Sequence, residues 1–85
     1  MTAAEWNARY PIGIGVRYYP VQGHADNLIA RTRSRAWTLA SLTHVVLLEH
    51  QQQPGDYWQP MVGGRSLEHL ETLDGSYTGP ACRHK

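Results

Sequence analysis

Alternating apolar and polar side chains account for most of this chain; helical spacing is confined to its start and to a leucine triplet near the end. Thr2-Ala3-Ala4-Glu5 fits a capping box, with Thr2 as N-cap and Glu5 at the third helical position. Trp6 and Tyr10 follow four apart on one face, and Pro11 ends the helix because the residue before proline avoids helical geometry. From Val16 to Val21 alternation puts Val16 and Tyr18 on one side and Arg17 and Tyr19 on the other, a first strand that Pro20 places at an edge or terminates. Gln22 to Asn27 is rich in turn formers, and Leu28 to Ser34 reads as a second strand. Ser34 to Leu39 allows either a single helical turn capped by Ser34 or a bent continuation of that strand.

His44 to His50 is the clearest strand, apolar on both sides in its middle and therefore expected to be central. Gln51 to Pro60 is a long polar excursion, Gly63-Gly64 is expected to turn, and Leu67, Leu70 and Leu73 fit a short helical or 3₁₀ turn under the sheet. Together these predict a mainly β fold: a small SH3-like barrel of about five strands, with a short N-terminal helix and a 3₁₀ turn before the last strand. Residues 1–74 are expected to form this single domain, and residues 75–85, with Gly75, Gly79 and Pro80, a flexible C-terminal tail. Trp6, Trp37, Val46, Leu48, Leu67 and Leu70 are assigned to the core.

At 85 residues there is room for one core. Hydrophobic residues make up 41%, charged ones 18%, and the net charge is +1, which favours folding over disorder and argues against a general nucleic-acid coat protein. A lone cysteine, Cys82, excludes a disulfide framework and favours a reducing compartment. Residues 1–8 carry Glu5 and no apolar stretch of the secretory type, and the longest apolar run is Val45–Leu48, so a cytoplasmic protein with no membrane partner is expected. Five tyrosines and three tryptophans, with no phenylalanine, suit half-wet surfaces and interfaces as well as cores.

Four segments in order carry a resemblance: Trp6-Asn7-Ala8-Arg9-Tyr10-Pro11-Ile12-Gly13, Thr32-Arg33-Ser34-Arg35-Ala36-Trp37-Thr38-Leu39, Val45-Val46-Leu47-Leu48-Glu49, and Gly63-Gly64-Arg65-Ser66-Leu67-Glu68-His69-Leu70. The chain resembles a group of very small, largely uncharacterised proteins of bacterial viruses and prophages, over most of residues 6–73. The resemblance brings no catalytic residues. It implies a viral accessory protein that binds and blocks a host protein or ribonucleoprotein complex, including components of CRISPR–Cas and other defence systems. Where those proteins turn briefly between Val-Val-x-x-Glu and Gly-Gly, this chain inserts about a dozen residues, His50 to Met61, well beyond a usual hairpin loop. Asp56, Tyr57, Trp58 and Gln59 are the candidate partner-binding residues there, since tyrosine and tryptophan commonly anchor interfaces. The competing reading has Trp58 fold back over an open end of the core.

Catalytic and metal chemistry find no foothold. His44 and His50 are six residues apart on one strand, a span of about 20 Å and too far to share an ion. Ser34, Ser41, Ser66 and Ser76 lack a nucleophile-elbow context, and Gly13-Ile14-Gly15 lacks the third glycine and helix of a phosphate loop. No cofactor is expected. Arg31, Arg33 and Arg35 alternate, so an extended strand would project all three from one face, with Arg17 extending the stripe from a neighbouring strand. Residues 1–48 hold five arginines against Glu5 and Asp26, a balance of +3, and residues 49–85 balance at −2. Such a face could hold phosphates, with Tyr19 or Trp37 stacking a base; it could meet an acidic protein; or it could pair within the fold with Glu49, Glu68 and Glu71. Three functions follow: a host-protein binder, a nucleic-acid-binding module, and a minor virion component self-associating through a strand edge. Oligomeric state stays open.

Overall fold

The computed structural model describes residues 1–40, 43–53 and 55–82, with the backbone alone at Thr43. It is a curled antiparallel half-barrel, mainly β, with a short N-terminal helix and 3₁₀ turns. The helix, α1, spans Ala3–Arg9. Six strands follow: β1 Gly15–Tyr18, β2 Leu28–Thr32, β3 Trp37–Leu39, β4 Thr43–His50, β5 Gln59–Ser66 and β6 Leu70–Thr72, with 3₁₀ turns at Leu67–His69 and Pro80–Cys82. The sheet runs β3-β4-β2-β1-β6, and β5 pairs with β4.

The capping box forms as its residues dictate. Thr2 Oγ1 accepts from the Glu5 amide at 3.1 Å, and Glu5 Oε1 accepts from the Thr2 amide at 2.9 Å. Those bonds hold the Glu5 carboxyl below its ordinary range. Tyr10 is extended ahead of Pro11, ending the helix where expected. Trp6 is driven inward against Tyr10 and, edge-on, against Tyr77, with ring centroids 4.4 and 5.4 Å away.

Between Leu28 and Leu39 the chain makes a bent strand. β2 pairs with one end of β4 (Arg31 opposite Glu49) and β3 with the other (Trp37 opposite Val45). At the bend the Arg33 amide still donates to Leu47 O at 2.8 Å, and Ser34 Oγ takes the Leu47 amide at 3.1 Å in place of a backbone carbonyl. Ser34 is therefore a strand surrogate rather than a helix cap. The bend is pinned from outside the sheet: Asn7 Nδ2 donates to Ala36 O at 2.9 Å, and the Ala36 amide donates to Asn7 Oδ1 at 2.7 Å.

Period-two alternation then sorts the faces. Trp6, Val16, Ala30, Ala36, Val46, Leu48, Leu67 and Leu70 form the core. Of the six residues assigned to it from sequence, Trp37 is the exception: it lies on the outer face and is 38% exposed.

Two further expectations are corrected. Gly63-Gly64 does not turn but runs within β5. The register of β5 against β4 slips between Leu47 and Glu49, and Gly63, at φ +74°, supplies the left-handed residue of that irregularity. A Cβ on Gly64 would sit 3.0 Å from Val45 Cβ and 3.3 Å from the Trp37 ring, so here glycine serves close approach. Nor is the chain from Gly75 on a loose tail. It covers the outer edge of β6: the Thr72 amide donates to Tyr77 O, the Gly79 amide to Leu70 O, and Ala81 and Cys82 are buried. The backbone groups of that edge require partners, and this segment provides them. Arg83 to Lys85 lie outside the described residues. Among the described residues no helix is long and apolar enough to cross a membrane.

Candidate binding face

Once Val46 and Leu48 face the core, Val45, Leu47 and Glu49 must face outward from β4. The registers carry this face across the sheet: Arg31 stands opposite Glu49, and Arg17 opposite both Ile29 and Glu71. The arginine stripe meets its carboxylates here. Glu49 takes Arg31 Nε at 2.7 Å on Oε2 and Arg33 Nε at 3.1 Å on Oε1, so one carboxylate holds two guanidiniums. Arg17 Nε lies 3.9 Å from Glu71, whose other contacts are the donating hydroxyls of Tyr19 and Thr78. Glu68 pairs with none of these arginines. Arg35 falls beyond the end of β2 and makes no ion pair among the described residues, so alternation does not bring all three arginines to one point.

The carboxylate is the foundation of this cluster and the guanidiniums are its outer tier: the Glu49 side chain is 14% exposed, those of Arg31 and Arg33 41% and 47%. Each arginine spends Nε on Glu49, and the terminal amino groups make no hydrogen bond among the described residues. Trp58 returns from the long loop to lie over Arg31, with the guanidinium carbon 4.3 Å from the ring centroid. The loop and the arginine face, two separate candidates in the sequence, are thereby one surface.

The other loop candidates divide. Tyr57 is 91% exposed. Asp56 is occupied with the loop itself: its carboxylate accepts the Gln53 amide at 3.0 Å and its own amide donates back to Gln53 O. Gln59 is not in the loop but opens β5, opposite His50. Tyr19, a candidate for stacking a base, is buried instead, and that burial, with the Glu71 carboxylate beside it, raises its phenol above the ordinary value.

Next to the arginines the outer face turns apolar. The Trp37 indole reaches over Val45 to the Gly64 backbone, Leu47 lies beside it half-covered, and Leu39, two residues along β3, is 61% exposed. Leu39 and Leu47 escaped notice in the sequence as surface residues. The available signal was the phase of β4: a core assignment for Val46 and Leu48 obliges Leu47 to accompany Glu49.

A hollow of about 230 Å³ is lined by His44, Ser66, Glu68 and Tyr77 among others, and three of these side chains have a polar atom already engaged. His44 Nδ1 is 3.0 Å from Thr38 Oγ1, Ser66 Oγ accepts the Glu68 amide, and the Tyr77 hydroxyl donates to Leu67 O at 2.8 Å. Burial pushes Tyr77 up to about 12 and the Cys82 thiol up to about 11, the reverse of what a nucleophile needs. No group of three or more His, Cys, Asp or Glu side chains among the described residues could hold a metal ion. Comparison with protein-family models, with curated proteins and with solved structures finds no match to the chain.

Proposed function

We propose that this protein is a non-enzymatic binding module whose partner is a protein. In the setting the sequence resemblance implies, it is an accessory protein of a bacterial virus or prophage that acts on a host protein, as an inhibitor of a defence system such as CRISPR–Cas. The observation that carries the binding reading is the outer face of the sheet, where Trp37, Leu39 and Leu47 lie exposed beside the guanidiniums of Arg31 and Arg33. Tryptophan and arginine at the centre of an apolar patch are the composition that protein interfaces favour.

The same face weighs against the phosphate-binding alternative. Glu49 and Glu71 take up much of the positive charge of Arg17, Arg31 and Arg33, whereas backbone recognition of nucleic acid draws on uncompensated cations. The virion reading needs an inviting strand edge, but β5 is blunted by Pro60 and by its irregularity at Gly63.

The test is affinity capture from host lysate with and without nuclease, followed by reconstitution with the purified partner. A stoichiometric protein complex that survives nuclease is the expected result. Recovery of nucleic acid alone, or only of further copies of this chain, would overturn the reading.

A further inference from the structure

We propose that the docking surface is the outer face formed by Trp37, Leu39, Leu47, Arg31 and Arg33, and that its occupant is a protein surface bearing carboxylates beside an apolar patch. This rests on the protein-binding reading and gives it a location and a partner chemistry.

Three features carry it. The apolar and basic halves are continuous, because the Arg33 amide is bonded to Leu47 O and Leu47 and Glu49 are alternate residues on β4. The basic half is built before any partner arrives. One shared carboxylate draws both guanidiniums to it, Arg31 through a hydrogen bond and Arg33 as an ion pair, and the Trp58 ring lies over Arg31, so part of the side-chain freedom is given up before binding. The terminal amino groups of both guanidiniums make no hydrogen bond among the described residues, and they form a fork that matches a carboxylate with two parallel hydrogen bonds.

Charge and composition choose among occupants. With two arginines on one glutamate, the cluster keeps an excess of one positive charge, too little to track a phosphate backbone but complementary to one or two acidic side chains. A second copy is a poor fit, since a two-fold pairing of this face would set its positive excess against itself. Leu39 and Trp37 have no role in a purely electrostatic contact, and burying them on a partner is what would give this one affinity.

The test is a titration of the whole protein, followed by backbone amide NMR, with three defined probes: a short peptide alternating Glu and Leu, its Lys and Leu counterpart, and a DNA duplex. The Glu–Leu peptide should bind saturably, with shifts centred on Arg31, Arg33, Trp37 and Leu47. Arg33→Gln and Leu39→Ser should each weaken it about tenfold. Both positions are exposed, and Glu49 keeps Arg31 when Arg33 is changed, so both variants should retain the dispersed spectrum of the parent. Equal binding of the Lys–Leu peptide, tighter binding of the duplex, shifts elsewhere on the molecule, or concentration-dependent shifts of the protein alone would each overturn the proposal. A captured host partner whose affinity is unchanged in both variants would overturn this inference and leave the protein-binding reading standing. Failure to capture any protein would overturn that reading first.

Discussion

Replacing Asn7 by alanine isolates the contact that fixes the bend between β2 and β3. The side-chain amide exchanges two hydrogen bonds with the backbone of Ala36, at 2.9 and 2.7 Å, and Ala36 is only 6% exposed. Truncation leaves one donor and one acceptor without partners where water has little access, a cost of about 1–3 kcal/mol for each group. Working against this, alanine is the better helix former, by about 0.5 kcal/mol in the interior of α1. The net expectation is a loss of about 1.5–5.5 kcal/mol, a large share of the roughly 5–10 kcal/mol that a domain of this size commands. Urea denaturation followed by tryptophan fluorescence measures it, and the melting temperature should fall by about 4–8 °C for each kcal/mol lost. Asn7→Asp sharpens the logic, because it keeps the acceptor for the Ala36 amide but points a carboxylate oxygen at the Ala36 carbonyl. It should be no more stable than Asn7→Ala. A midpoint for Asn7→Ala within experimental error of the parent would refute the reasoning, since the gain in helix propensity would then match the loss of both hydrogen bonds.

Glu49→Gln should cost about 1–2 kcal/mol, modest because both arginines are more than a third exposed and solvent screens them. In double-mutant cycles the coupling of Glu49 to Arg31 should exceed that to Arg33, and equal couplings would mean that the shorter bond and the Trp58 ring add nothing. Gly79→Ala drives a Cβ into the backbone of Glu68 and Leu67, so the segment ending at Cys82 must lift. The buried Cys82 thiol should then be alkylated faster in the native protein, and an unchanged rate would show the segment is still seated. The Asp74 carboxyl is held down from 3.8 to about 2, chiefly by hydrogen bonds from Ser76. A lowered native value stabilises the fold above the unfolded value and is lost as pH falls through the native one. The gap in urea midpoint between the parent and Asp74→Ala should therefore be constant above about pH 5 and shrink as pH falls from there through about 2; a gap as wide at pH 2 as at pH 6 would contradict it.

Local chemistry was legible where it acts alone. Thr2 and Glu5 could be read as a cap because both partners lie within one turn, and Val46 and Leu48 could be read as core because a strand's phase shows over a few residues. The Arg–Glu pairing was foreseeable as an option, since opposite charges on one face find each other. What escaped notice depends on contacts across the sheet. Gly64 resembles a turn former until Trp37 is seen lying against it from two strands away. Trp37 looks like core because tryptophan usually is, but the bend at Ser34 determines which face it presents. The last segment looks like a tail by composition, and only the unpaired edge of β6 gives it a place. At the candidate face, Arg31, Arg33 and Trp58 were named from sequence; their convergence on Glu49 required the register of β2 against β4.

The seat of Trp6 also sets the order in which this protein can be made. Its ring waits for Tyr77, and the Tyr10 hydroxyl waits for Ser76 Oγ at 2.8 Å, partners more than sixty residues later in the chain. The first strand is no better served, because Val16 pairs with Thr72 as well as with Ala30. A nascent chain that has reached β5 therefore holds four of its strands without the pieces that close them, and Val46 and Leu48 stay open to water. Folding in such a topology is dominated by late, distant contacts and runs slowly for so short a chain. During synthesis the apolar strand β4 therefore lacks its native cover until the final dozen described residues arrive.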